Sequence, residues 1–319
     1  MINNKTRIGA VVIGRNEGQR LVTCLKSLKN NLDHIVYVDS GSSDGSMQEA
    51  AALGVATISL DMSTPFTAAR ARNEGANYLL AKHIELSYLQ FIDGDCEMQP
   101  KWIDTAAQFL DEHGDYAVAC GRRRERFPER TIYNQLCDIE WNTPVGDASA
   151  CGGDALIRAK AFKLVSGYRD DLIAGEEPEM CFRLRKQGLK IRRLDAEMTM
   201  HDAAMTKVSQ WWKRCMRGGY AFILGVSIHR KYWIKEVVSA WFWAGMLPMV
   251  IVILTSLINV DFIFLFSIYL IQILKMTVKN RNLKYSIFIV LAKFPEIIGQ
   301  CKFLLDKLFS VSATIIEYK

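Results

Sequence analysis

Two carboxylates one residue apart, Asp93-Gly94-Asp95, follow the apolar run Tyr88-Leu89-Gln90-Phe91-Ile92. The run is β-prone and apolar enough to be a buried strand. Residues i and i+2 of an extended segment project to the same side, so both carboxylates can address one target. In open α/β sheets ligands bind just beyond the carboxyl ends of the strands, where this pair falls. Hard oxygen donors, with a glycine that lets a ligand approach the backbone, suit Mg²⁺ or Mn²⁺ carrying a diphosphate. The same three residues also make a good surface turn. Further carboxylates close other strand-like runs: Glu17 after Gly14-Arg15-Asn16, and Asp39 after Val38. Asp39 can accept from a base or ribose donor, or can cap the helix that starts near Ser46. Glu176-Glu177-Pro178 reads as the opening of a helix, where acidic charge is favoured and a proton-accepting carboxylate would be rigidly held. His201, in Met200-His201-Asp202, is either a metal ligand or a structural histidine.

The elements needed to position these groups alternate along the chain. Residues 8–14 read as a buried strand and 19–30 as a helix with Leu21, Leu25 and Leu28 on one face. A second strand at 34–38, a helix at 47–53, a third strand at 55–60 and a helix at 67–82 lead to the strand that carries Asp93. This alternation implies an α/β fold, a Rossmann-like, largely parallel sheet with helices on both faces. No G-x-G-x-x-G follows the first strand and no G-x-x-x-x-G-K-[ST] occurs, so NAD and P-loop readings fall away.

Hydrophobicity is uneven over the 319 residues. Up to about 235, apolar runs mix with charges as in a soluble domain. The 18 residues from Trp241 to Ile258 carry no charge, and as a helix would span about 27 Å against a hydrocarbon core of roughly 30 Å. A shorter run at 262–274 could return, and residues 285–300, with Lys293, Pro295 and Glu296, read as an interfacial amphipathic helix. His229, Arg230, Lys231 and Lys235 precede the runs; Lys275, Lys279, Arg281 and Lys284 follow them. A membrane hairpin over about 241–274 with its tip outside would therefore leave residues 1–235 on the cytoplasmic face, with 236–319 as the attached hydrophobic helices. The other reading of the same runs is a buried helical subdomain. Eight scattered cysteines without C-x-x-C argue against a zinc site or disulfide framework and agree with a reducing compartment. Residues 1–7 lack the apolar core of a signal peptide. The net charge of +6 is modest, and no nucleic-acid motif appears. The basic run Arg122-Arg123-Arg124-Glu125-Arg126 and the basic flanks point instead to anionic lipid or phosphate.

Taken in order, Val12-Ile13-Gly14-Arg15-Asn16-Glu17, Val38-Asp39-Ser40-Gly41-Ser42-Ser43-Asp44, Ala71-Arg72-Asn73-Glu74-Gly75, Asp93-Gly94-Asp95, Cys151-Gly152-Gly153-Asp154 and Gly175-Glu176-Glu177 form a series. Over residues 8–222 it resembles the family 2 glycosyltransferases of the glycosyltransferase-A fold. The resemblance implies that Arg15, Glu17 and Asp39 line a nucleotide pocket, with Arg72 beside the base or phosphates. It makes Asp95 the main metal carboxylate for Mn²⁺ or Mg²⁺, with Asp93 on the ribose, sugar or metal and His201 as a further metal ligand. Gly152 and Gly153 would form the loop beneath the donor sugar, followed by Asp154. Glu177, beside Glu176, would take the proton of the acceptor hydroxyl, although the family often has Asp there. Gln210-Trp211-Trp212-Lys213-Arg214 only partly resembles the Q-x-x-R-W motif of processive synthases, since Lys213 replaces Arg and Arg214 replaces Trp. Together with so few apolar segments, this points to transfer of single sugars. Trp211, Trp212, Arg214 and Arg217 stand as candidates for phosphate or acceptor contact. The expected enzyme is metal-dependent and inverting, moving a sugar from a nucleotide-sugar donor to a lipid-linked or glycan acceptor in cell-envelope or exopolysaccharide synthesis. A nucleotidyltransferase would instead carry a Gly- and Lys-rich loop after the first strand. A non-catalytic, membrane-tethered nucleotide-sugar-binding protein would lack one of the essential acids.

Overall fold

The computed structural model describes residues 4–230 and 232–309; Lys231 of the basic flank, residues 1–3 and residues 310–319 lie outside them. The chain divides into two compact units, Met1–Ala204 and Met205–Lys319.

The first unit opens with α1 (Asn4–Arg7), β1 (Ile8–Gly14), α2 (Gln19–Lys29), β2 (His34–Asp39), α3 (Ser46–Ala52), β3 (Ala56–Ser59), α4 (Ala68–Lys82) and β4 (Tyr88–Asp93). β1 is parallel to both β2 and β4, and β3 extends the parallel half beyond β2. Ile8, Ala10, Val11 and Val12 have no exposed surface, as expected of a central parallel strand covered on both faces. Gly75 lets α4 lie close on this sheet: a Cβ there would stand 2.5 Å from Val11 Cγ1 and 3.0 Å from Val38 Cγ2. Arg72, three residues earlier, shares that face of the helix.

Then follow β5 (Cys96–Met98), α5 (Trp102–Glu112), β6 (Tyr116–Glu125), α6 (Ile132–Trp141), β7 (Gly146–Asp147), β8 (Ala155–Arg158), α7 (Ala159–Leu164), α8 (Glu176–Lys186) and β9 (Lys190–His201). The sheet runs β3-β2-β1-β4-β8-β6-β9-β5, with β7 also paired to β9. Past β4 it becomes mixed: β8 is antiparallel to β4 and β6, β9 is parallel to β6, and β5 and β7 are antiparallel to β9. In register, Gly14 lies beside Asp39 and Ile13 beside Asp93, so the polar ends of three parallel strands share one level. His201 pairs with Cys96 on one side and Glu125 on the other.

The second unit contains α9 (Val208–Ile228), α10 (Ile234–Ala240), a π-helical turn at Trp241–Met246, α11 (Leu247–Leu257), a 3₁₀ stretch at Val260–Phe266, α12 (Ser267–Asn280) and α13 (Leu283–Leu308). The π turn precedes Pro248, whose missing N–H and crowding of the Ala244 carbonyl interrupt an α ladder. Ile234–Leu257 and Val260–Asn280 are helices of 24 and 21 residues, long and apolar enough to cross a membrane. They are separated at Asn259, whose side chain accepts from Asp261 N at 2.7 Å. Leu257, Phe264, Leu270 and Leu274 are exposed, which disfavours a buried subdomain and is compatible with membrane association. α13 turns one face, with Ser286, Val290, Gly299, Gln300 and Phe303 buried, toward α9. A Cβ on Gly219 would strike the backbone of Glu296, and one on Gly299 the backbone of Met216; small residues permit this approach. The division after Ala204 therefore leaves α9, which composition groups with residues 1–235, among the helices of the second unit.

Candidate active site

β4 ends at Asp93, and Gly94 and Asp95 form the turn into β5. The two carboxylates are thus not borne on one extended segment, and they have different partners. Asp93 Oδ1 accepts from Arg72 Nη2 at 2.8 Å and Oδ2 from Arg123 Nη2 at 3.1 Å. Arg72 Nη1 donates to Glu176 Oε1 at 2.6 Å, and Arg123 Nε donates to Asp154 Oδ2 at 3.0 Å. A chain of alternating charge, Glu176–Arg72–Asp93–Arg123–Asp154, lies at the end of β4. Burial alone would raise the Asp93 carboxyl, but the Arg72 and Arg123 guanidiniums outweigh it and hold it below the usual carboxylate range. Asp154 has no exposed surface and also accepts from Asp93 N at 3.0 Å and Thr199 Oγ1 at 2.7 Å. Its position is that of a support for Asp93.

Asp95 faces the other way. Its Oδ2 lies 3.2 Å from His201 Nε2, and His201 Nδ1 is 3.6 Å from Glu125 Oε2. Glu125 is fixed by Asn134 Nδ2 at 3.1 Å and by the backbone N–H of Ala203 at 2.9 Å. The Trp141 ring meets the His201 ring edge to face at 4.7 Å, and Arg123 lies 5.5 Å from the centre of the same indole. The donor atoms of Asp95, Cys96 and His201 lie within 4.8 Å of one another. A carboxylate and an imidazole, the latter backed by a second carboxylate, form a set suited to a divalent ion such as Mn²⁺.

Glu177 is also buried, but in neutral surroundings. Its Oε1 accepts from Cys151 N at 2.5 Å and from Cys181 Sγ at 3.0 Å. Burial pushes its carboxyl above the ordinary value, and these hydrogen bonds only partly oppose the shift. Gly175, at φ 79°, turns the chain into α8 and sets Glu176 and Glu177 in the first helical turn.

The remaining expected residues take varied places. Arg15 lies over the Phe66 ring at 4.8 Å, and Glu17 pairs with Arg20 at 2.8 Å. Asp39 does not cap a helix: it accepts from Tyr37 Oη at 2.7 Å, Gly41 N at 3.0 Å and Ser42 N at 2.8 Å, while Asp44 accepts from Ser46 N. Gly152 is exposed with φ 81°. A Cβ on Gly153 would stand 3.0 Å from both Arg72 Nη2 and Asp93 Oδ2. In the second unit Trp211 is buried edge-on against Phe288 at 5.0 Å, Trp212 is partly exposed against Trp211, and Arg214 and Arg217 are half-buried on α9. The basic run of β6 differs from the lipid- or phosphate-facing expectation. Arg122 pairs with Asp138 at 3.1 Å, Arg124 with Glu197 at 2.7 Å and Arg126 with Glu97 at 2.5 Å. Arg123 and Glu125 lie in the basic run noted in the sequence but pack against the candidate site, while Trp141 carried no local signal.

A sheet that changes from parallel to mixed at β4, with acidic groups at that point, is the architecture of the glycosyltransferase-A fold. A solved mannosyltransferase from Pyrobaculum calidifontis, in complex with GDP-Man and Mn²⁺, has it at a TM-score of 0.64 and 14% identity, over 94% of this chain and 88% of that one. Glucosyl-3-phosphoglycerate synthase from Mycobacterium tuberculosis, in complex with phosphoglyceric acid, is similar at a TM-score of 0.49 and 15% identity, over 69% of this chain and 79% of that one. No curated protein matches the sequence. The family match and the fold are those of a glycosyltransferase. Residues 10–163 match the model of glycosyl transferase family 2. The matched segment includes Arg15 to Asp154 of the site and ends before Glu176, Glu177 and His201.

Proposed function

We propose that this enzyme transfers one sugar, with inversion, from a nucleotide-diphosphate donor to a lipid-linked or glycan acceptor in cell-envelope or exopolysaccharide synthesis. The observation that carries the reading is the approach of Asp95 to His201 beside the Asp93 ion-pair chain. Asp95 and His201 would hold Mn²⁺ or Mg²⁺, which when bound neutralises charge on the departing diphosphate. An ionised carboxylate has about four acceptor sites, so Asp93 can still receive a donor hydroxyl while Arg72 and Arg123 fix its plane. Glu177 takes the acceptor's proton, its raised pKa making it a stronger base than an exposed glutamate. Glu176, spent on Arg72, acts by holding that arginine. Attack by an acceptor assisted by one base gives inversion at the sugar.

The GDP-Man and Mn²⁺ of the Pyrobaculum mannosyltransferase support a nucleotide-diphosphate donor and this choice of ion. The two apolar helices, with basic residues on either side, support attachment at the cytoplasmic face of a membrane. The test is calorimetric titration of GDP and UDP in the presence of Mn²⁺. Asp95→Ala should weaken metal-dependent binding at least about tenfold without loss of fold, because Asp95 lies in a turn. Unchanged affinity would remove Asp95 from the site.

A further inference from the structure

Two cysteines flank Glu177 and have no part in the transfer chemistry. Cys181 lies one helical turn after Glu177 on the same face of α8, and Cys151 lies in the loop before β8, next to exposed Gly152. Their sulfurs are 3.6 Å apart, and both, with a Glu177 carboxylate oxygen, lie within 4.8 Å of one another. Two sulfurs each about 2.3 Å from a tetrahedral zinc are separated by about 3.8 Å. A disulfide would need them at about 2.0 Å, together with an oxidant. The observed spacing is that of a thiol–thiol hydrogen bond and is also close to what two ligands of one ion require. Two sulfurs and a carboxylate form a softer set than Asp95, Cys96 and His201, which offer one sulfur, so the two places differ in their preference among cations.

We infer that Cys151, Cys181 and Glu177 form a site for a thiophilic divalent cation such as Zn²⁺ or Cd²⁺, whose occupation withdraws Glu177 from transfer. Binding turns two thiols into thiolates and releases two protons to solvent; Glu177 donates a lone pair, and no electron is transferred. Burial raises both thiols, with their mutual hydrogen bond the largest influence on each, upward at Cys151 and downward at Cys181. Half-buried Cys151 and exposed Gly152 give the ion its approach from solvent. The blocking effect rests on Glu177 being the base; the cation site itself does not.

Cd²⁺ titrated into the full chain in detergent should produce the ultraviolet sulfur-to-cadmium charge-transfer band, saturating at one ion per chain. The band should persist in Cys301→Ser and weaken at least tenfold in apparent affinity in Cys151→Ser and Cys181→Ser. Cys181→Val, which keeps an apolar side chain against the core, replaces the serine variant should that one unfold on thermal melting. A wild-type chain without the band, or a band of full strength in the Cys151 and Cys181 variants, would overturn the site. With saturating Mn²⁺ present, Zn²⁺ should stop sugar transfer by wild type and Cys301→Ser but spare Cys151→Ser, which keeps the backbone N–H to Glu177. Equal inhibition of all three would overturn the blocking role. Full transfer by Glu177→Gln would count against the base alone, since the charge-transfer band does not depend on turnover.

Discussion

At the scale of single residues, Glu176 and Glu177 show how neighbours on one helical turn acquire different chemistry. Glu176 faces a guanidinium and Glu177 faces an amide N–H and a thiol. Glu177→Gln preserves size but cannot take a proton, so transfer should fall by on the order of 10²–10⁴ while donor affinity stays within a few-fold. Glu176→Gln should instead weaken donor binding, because Arg72 loses its charged partner. Both are measured by transfer kinetics beside donor titration. The pH dependence has a definite sign. Transfer needs the Glu177 carboxylate, so activity should fall on the acid side at a pH above its ordinary 4.5, and the Gln variant should lack that limb. For stability the raised carboxyl favours the protonated fold; its contribution is complete below 4.5 and is lost as pH rises through the folded value. Glu177→Gln should therefore melt no lower than wild type at neutral pH. Asp93 has the opposite sign: its contribution is lost only as pH falls below its ordinary 3.8. The acids themselves were legible in the sequence, since they punctuate apolar runs. Their partners were not. Arg123 is 30 positions from Asp93, and so is Cys151 from Cys181, and no local pattern announces such pairs before the sheet is folded.

At the scale of elements, the parallel half of the sheet was readable because each strand is a continuous apolar run ending in a polar turn. The mixed half was not. β9 is twelve residues long, and the pairing of Cys96 with His201 joins segments on opposite sides of three intervening strands in sequence. That register alone brings Asp95 to His201, so only the resemblance could link the two residues beforehand. The loop between β7 and β8 has a comparable dependence on neighbours. Gly153 is pressed against the ion-pair chain, whereas nothing lies within 4 Å of a Cβ at Gly152. Gly153→Ala should cost about 1–3 kcal/mol by overpacking and also weaken donor binding, because Arg72 and Asp93 must shift. Gly152→Ala should cost about 1–2 kcal/mol through its left-handed backbone, with the ion pairs left in place. Thermal melting with and without GDP and Mn²⁺ separates the two: ligand-induced stabilisation should shrink more in the Gly153 variant. Equal ligand response in both would show that the loop acts on the site only through its backbone.

At the scale of the whole molecule, composition and packing draw different lines across the chain. Composition turns apolar only after about residue 235, yet α9 carries the glycine face that meets α13. The buried core that holds the sheet spans Ile8 to Met198. Asp202 N meets the Asp95 carbonyl and Ala203 N meets Glu125. A chain ending after residue 204 retains all of these. One ending after residue 235 also retains α9, but with the Gly219 face and its apolar surroundings bare. We therefore expect the shorter truncation to be the better-behaved one, soluble without detergent and stabilised by GDP with Mn²⁺, and the longer one to aggregate. Size-exclusion chromatography and thermal melting of both would decide. Should only the longer chain fold and bind nucleotide, α9 would have to be counted part of the catalytic domain, and the compositional boundary would be the functional one.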